Sequence, residues 1–150
     1  MLEIRGKEIS KLNDEDLWVL VGWLCEAELH SRGLPSAGVT WGGDPNAGDG
    51  GIDVGVDLST PFDIDDFIPR NKTGFQVKKP DMPRSAILKE MRPTGKLRPA
   101  IIELAKAQGA YIIVSGRNSS TTNKVPALQK DKMSHFLCAA NSDVIPVKYK

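Results

Sequence analysis

At 150 residues, 40% hydrophobic and 26% charged, the chain has enough apolar mass for one compact domain and too little length for a second. A formal net charge of +1 excludes a whole-chain field for a polyanion, so any nucleic-acid surface has to come from local clustering. The two cysteines, Cys25 and Cys138, sit in separate helical patterns without the spacing of a zinc ribbon or a disulfide framework, which points to a reduced, cytoplasmic setting.

The start, Met1 to Glu8, is charged throughout and is no secretory signal, and no apolar run is long enough to cross a membrane. Asn13 or Asp14 caps a helix that runs to about Ser31, where Gly33, Pro35 and Gly38 end it. Ala37 to Trp41 reads as a short strand and Gly42 to Gly51 as a turn-rich segment. From Gly51 to Leu58, the apolar Ile52, Val54, Val56 and Leu58 alternate with other residues, which predicts a half-buried strand with Asp53 on its other face. Pro61 to Thr73 is a longer connection. In Gly74 to Lys78 the alternation sends Phe75 and Val77 inward and Gln76 and Lys78 together to the opposite side.

Pro80 and Pro83 then break the chain, and Ser85 to Met91 forms a short helix before Pro93 and Gly95. Arg98 to Gln108 is a second amphipathic helix with Ile101, Ile102, Leu104 and Ala105 on its apolar side and Gly109 as its stop. Tyr111 to Val114 reads as a buried strand and Gly116 to Asn123 as a polar loop. A helix from about Pro126 to Ala140 and a strand from Val144 to Tyr149 follow. This order predicts an α/β fold, a mixed sheet with helices on both faces. Lys150 comes straight after a strand-like segment, and we expect further protein beyond it.

Asp53 on one strand and Gln76 with Lys78 on the next offer three polar groups to one place. Phosphodiester hydrolysis needs a water nucleophile in line, neutralisation of charge in the transition state and help for the leaving oxygen. A divalent cation supplies most of this, and Asp53 is the natural ligand; oxygen-only coordination with open water positions suits Mg²⁺ or Mn²⁺. Lys78 orients the attacking water and balances phosphate charge, and Gln76 offers an amide oxygen in place of a second strand carboxylate. On the first helix, Leu17, Val21 and Leu24 recur at four- and three-residue steps, and the next member of that stripe is Glu28. A carboxylate amid a core-facing stripe is expensive unless it binds a cation or a partner, so Glu28 is expected as the second acidic ligand.

Gly48-Asp49-Gly50-Gly51-Ile52-Asp53-Val54 followed by Phe75-Gln76-Val77-Lys78, with Glu28 in the preceding helix, resembles the PD-(D/E)xK nuclease superfamily. Within it the chain looks similar to the Mrr-like restriction endonucleases of the D...QxK variant. The resemblance implies an α/β/α sandwich over roughly Asp14 to Val147. It also implies catalytic positions for Asp53, Gln76, Lys78 and Glu28, and a metal contact from the Val77 carbonyl. Such domains are similar to the N-terminal effector nucleases of bacterial anti-phage proteins, whose sensor or regulatory parts follow the nuclease. The longer connection from Pro61 to Thr73 departs from the family pattern and bears on substrate recognition.

Arg70, Lys72, Lys78 and Lys79 bracket the motif strand, and Arg84, Lys96 and Arg98 lie near helix starts; such groups grip phosphates without reading bases. The glycines of 48–51 fit neither a calcium loop, whose closing Glu is replaced by Gly55, nor a P-loop. They suit a close backbone approach to DNA or to the metal. His30 and His135 read as surface or packing residues, and Trp18, Trp23 and Trp41 as core or rim. The expectation is a Mg²⁺- or Mn²⁺-dependent endonuclease domain acting on double-stranded DNA as a dimer or larger assembly. The alternative is a non-catalytic nucleic-acid-binding or oligomerisation module with the same fold.

Overall fold

The computed structural model describes residues 6–41, 50–59, 67–80 and 82–116. The helix and strand expected beyond Gly116 lie outside these residues, as do 42–49 of the turn-rich segment and 61–66 of the long connection.

A single turn, α1 (Gly6–Ile9), precedes the long helix α2 (Asp14–Ser31). Asn13 caps α2: its backbone is extended and its Oδ1 accepts the Asp16 N–H at 2.7 Å. Asp14, Glu15 and Asp16 add negative charge where the helix dipole is positive. At the other end Gly33 turns left-handed at φ +69°, and the Leu34 and Gly33 N–H groups return to the Leu29 and His30 carbonyls, closing a Schellman motif.

A 3-10 turn (Ser36–Gly38) takes the first half of the expected first strand and leaves β1 as Val39–Trp41. There follow β2 (Val54–Asp57), β3 (Lys72–Lys78), α3 (Arg84–Met91), α4 (Pro99–Lys106) and β4 (Ala110–Ser115). The sheet is mixed, in the order β1-β2-β3-β4: the first three strands are antiparallel and β4 is parallel to β3. A parallel pair needs a crossover, and α3 and α4 occupy it. Helices and a four-stranded mixed sheet make this an α/β protein. Among the described residues no helix is long and apolar enough to cross a membrane.

Alternation along the strands builds two apolar clusters. Leu17, Val21, Cys25 and Leu29 of α2 pack against Val54, Val56, Phe75 and Val77, with Ile68 buried among them and Phe67 stacked on Phe75 at 5.2 Å. Met91 of α3, Ile101 and Leu104 of α4 and Tyr111 of β4 form the second cluster, with Ile52, Leu97 and Ile113 beside it. Successive residues of β3 therefore serve opposite sides, and five of its seven residues are buried.

The phase of α2 differs from the sequence expectation. Its buried row runs Leu17, Val21, Cys25, Leu29 at constant four-residue steps, and Leu24 is 47% exposed. Leu24 and Cys25 are both apolar, so the pattern allows a step of three or four from Val21. The next turn decides between them: seating Leu29 gains roughly 1.5–3 kcal/mol, while seating Glu28 would desolvate a charge. Leu29 is fully buried, and Glu28 turns aside to its own helix. Buried Cys25 has its thiol pushed up to about 12, by desolvation and then by the Glu26 charge, which leaves it a packing residue.

Trp41 crosses from β1 onto α2: its ring meets Trp23 edge-on at 6.4 Å, and its Nε1–H donates to Glu26 Oε1 at 3.2 Å. Gly22 makes this possible, because a Cβ there would come within 2.6–2.8 Å of the Trp41 indole. Helix propensity favours alanine over glycine by about 1 kcal/mol, against about 1–3 kcal/mol for overpacking a rigid ring. Gly22→Ala is therefore expected to lower the urea midpoint. A variant as stable as wild type, or more so, would contradict this packing.

Candidate active site

Asp53 immediately precedes β2 and joins it to β3 through two groups. Its N–H donates to the Phe75 carbonyl at 2.8 Å, and its Oδ2 accepts the Val77 N–H at 2.6 Å. The carboxylate thus takes the next rung of the ladder, where a further β2 residue would otherwise pair. In extended backbone the N–H and C=O of one residue leave on the same edge, so the Val77 carbonyl faces the Asp53 side as well. Gly50 and Gly51 lead in with φ of +72° and +87°, and Cβ atoms there would approach Ala100 to 2.7 Å and the Arg98 side chain to 3.1 Å. Their freedom of conformation serves a close approach to the start of α4.

Gln76 is 2% exposed, and with Thr73 at 1% it is one of two buried polar residues among the described residues. Its amide is satisfied at both ends: the Tyr111 hydroxyl donates to Oε1, and Nε2 donates to Glu90 Oε1 at 2.6 Å. Arg98 Nη2 donates to the same Glu90 oxygen at 2.6 Å, Arg98 Nε donates to the Glu90 carbonyl at 2.6 Å, and Lys78 Nζ stands 3.5 Å from Glu90 Oε1. One carboxylate at the end of α3 therefore gathers side chains from β3 and from the cap of α4.

These contacts set the charge states. Burial raises the Glu90 carboxyl, but the Gln76 amide, the Lys78 and Arg98 charges and the Arg98 hydrogen bond outweigh it and hold Glu90 below its ordinary value. Burial pushes the Tyr111 hydroxyl up; the Arg98 charge opposes this, and the Glu90 and Asp53 charges add to it. Tyr111 stays protonated, as a donor to Gln76 must.

Asp53, Gln76 and Lys78 are thus brought together around Val77, as their alternation predicts. Glu28 is not joined to them through its described contacts: its Oε1 takes Arg32 Nε and Nη2 at 2.6 Å, four residues along the same helix. Arg70 and Lys72 do not flank the site. β3 begins at Lys72, so six steps of about 3.3 Å put Lys72 roughly 20 Å from Lys78, where it pairs with Asp57 at 2.9 Å. Exposed Arg70 precedes it and donates to the Pro69 carbonyl. Lys79 lies next to the site, its backbone N–H held by Asp14 Oδ1 at 2.9 Å. Arg84 is exposed at the start of α3 and Lys96 is exposed between α3 and α4. Only Arg98 among these cations enters the network.

Two of the residues that organise the network, Glu90 and Tyr111, escaped the sequence analysis. For Glu90 a signal existed: Ile87 and Met91 mark the inner face of α3, and Glu90 stands beside it, three residues from one and next to the other.

Among the described residues no group of three or more His, Cys, Asp or Glu could hold a metal ion. Mg²⁺, however, is held through one or two carboxylates with water and phosphate oxygens completing its shell, and Asp53 and the Val77 carbonyl are the donors that could hold it. The Gln76 oxygen is engaged by Tyr111 and is not among them. An open groove of about 530 Å³ extends from Asp53 along the sheet, floored by the cross-strand pair Gly55 and Gly74.

No protein-family model, curated protein or solved structure matches this chain.

Because the Glu90 carboxyl is held below its ordinary value of 4.5, its ionised contacts stabilise the fold fully above that value and are lost as pH falls through the lower folded-state value. The stability difference between wild type and Glu90→Gln is therefore expected to be constant from neutral pH to about 5 and to shrink below 4.5. Urea unfolding across that range checks it, and a difference that does not vary with pH would rule it out.

Proposed function

We propose that this domain is a metal-dependent nuclease of the Mrr-like PD-(D/E)xK kind, built as an α/β/α sandwich, that hydrolyses phosphodiester bonds of double-stranded DNA. The observation that carries this reading is the 2.6 Å bond from the Val77 N–H to Asp53, which sets the acid of one strand beside the Gln76 and Lys78 of the next. Support also comes from the element order: one long helix, three antiparallel strands, a helical crossover and a parallel strand.

In this reading Asp53 and the Val77 carbonyl would hold Mg²⁺ or Mn²⁺. When bound, the ion supplies Lewis-acid activation of water and neutralises charge on the phosphate. Lys78 sets its ammonium against the entering water and the phosphate oxygens, and Arg98 adds a fixed positive charge beside it. The water oxygen forms a bond to phosphorus as the bond to the leaving sugar oxygen breaks; the water gives up a proton to solvent and the leaving oxygen takes one from solvent, giving a phosphate monoester and a hydroxyl. Glu28 is left out of the metal set because its carboxylate is committed to Arg32. Cutting both strands calls for two copies of the site, so the working form is a dimer or larger assembly, and an anti-phage or restriction role fits such an activity.

Plasmid cleavage with Mg²⁺ or Mn²⁺ tests this. Asp53→Ala and Lys78→Ala are each expected to lose activity by about 100-fold or more, the scale for removing one transition-state stabiliser, while Glu28→Gln keeps it within a few fold. Equal activity in wild type and both site variants, or metal-independent DNA binding with no cleavage by the assembled protein, would overturn the reading.

A further inference from the structure

Glu90 has no role in the chemistry described so far, yet its carboxylate meets Gln76, Arg98 and Lys78 at once. It is the penultimate residue of α3, and its side chain is 22% exposed. Its Oε1 faces the Gln76 amide and the Arg98 guanidinium, both at 2.6 Å, and the Lys78 ammonium at 3.5 Å. Arg98 is clasped twice, by the side chain and by the main-chain carbonyl of the same residue. That two-point grip fixes the plane of the guanidinium as one bond could not. On its other side Arg98 lies against Gly51, where a Cβ would come 3.1 Å from its guanidinium.

The orientation of Gln76 follows from the same arrangement. Its two amide ends are chemically distinct only through their partners, and here the Tyr111 hydroxyl donates to one while Glu90 accepts from the other. The amide can therefore point only one way. A carboxylate at position 76 would place a second negative charge against Glu90 Oε1 at hydrogen-bond distance, and two carboxylates that close cannot both stay ionised. The presence of glutamine in the Gln-Val-Lys strand is thus accounted for by an acid fourteen residues further on.

We propose that Glu90 is the positioning residue of this site: it holds the Lys78 ammonium and the Arg98 guanidinium where the phosphate arrives, and Gln76, braced by Tyr111, holds Glu90 instead of ligating metal. The inference rests on the nuclease reading and adds to it a reason for Gln76 and a role for α3. Two cations against one carboxylate leave a net positive charge facing the substrate, so Glu90 restrains the pair without cancelling it. A flexible lysine and arginine that are already ordered lose less freedom when the phosphate binds.

The test is steady-state plasmid cleavage by wild type, E90Q, E90D, Q76E and the exchange Q76E/E90Q, with thermal unfolding to establish that each is folded. E90Q removes the charge and keeps the shape. It is expected to lower kcat about 10- to 100-fold with little change in KM, because misplaced cations fail at the transition state more than at binding. Q76E is expected to lose as much. The exchange restores one amide and one carboxylate in reversed order and is expected to recover to within about tenfold of wild type, a rescue that a merely structural role would not produce. E90D, which keeps the charge on a shorter arm, should fall between wild type and E90Q, and it keeps the question decidable if E90Q fails to fold. Wild-type kcat in E90Q, or a Q76E variant as active as wild type, would overturn the positioning role while leaving the nuclease reading intact. A folded wild type that cuts no DNA with either metal would overturn the nuclease reading and this role with it.

Discussion

The bond from the Val77 N–H to the Asp53 carboxylate organises everything around it. The β2–β3 ladder reaches its end at Asp53, and the backbone of Gly50 and Gly51 is already turning away toward α4. A side-chain oxygen therefore takes the place of the next main-chain partner. The exchange satisfies a strand N–H that would otherwise face inward without an acceptor. It also fixes the acid against the segment that carries Gln76 and Lys78. The strand edge and the site are thus one feature of the chain, and neither can move without the other.

The second constraint is that β3 is buried on both sides. Phe75 and Val77 meet α2, and Gln76 is pressed under the crossover helices. An amide in that position is tolerated only with both ends bonded, since an unsatisfied buried polar group costs roughly 1–3 kcal/mol. Tyr111 and Glu90 satisfy it, and Glu90 is in turn balanced by Lys78 and Arg98. The network spans β3, β4, α3 and the cap of α4. Polar satisfaction of one glutamine therefore couples the crossover to the strand that bears Lys78.

Much of the scaffold was legible in the sequence because its signals are local. Asn13 and Gly33 mark the ends of α2, and alternation in Val54 to Asp57 and in Phe75 to Lys78 gives both strands and the sides on which Asp53, Gln76 and Lys78 fall. Long-range choices were less legible. Whether Leu24 or Cys25 continues the α2 stripe depends on what packs at the following turn: a step of three leads to Glu28, a step of four to the buried Leu29. Arg70 and Lys72 looked close to Lys78 because they are near it in sequence, but an extended strand carries neighbours apart at about 3.3 Å per residue. Glu90 reaches the site through a helix that packs back on its own strand, a return that no window of residues around Gln76 contains.

The central claim is that Asp53, held by Val77, is the metal-binding acid, and that Glu28 is not. Calorimetric titration of Mn²⁺ into the protein without DNA tests this without any turnover, and Asp53→Asn is the right variant because its amide oxygen can still accept the Val77 N–H. The account predicts saturable Mn²⁺ uptake by wild type and by Glu28→Gln, and loss of that uptake in folded Asp53→Asn. Undiminished uptake in Asp53→Asn, or loss confined to Glu28→Gln, would contradict it.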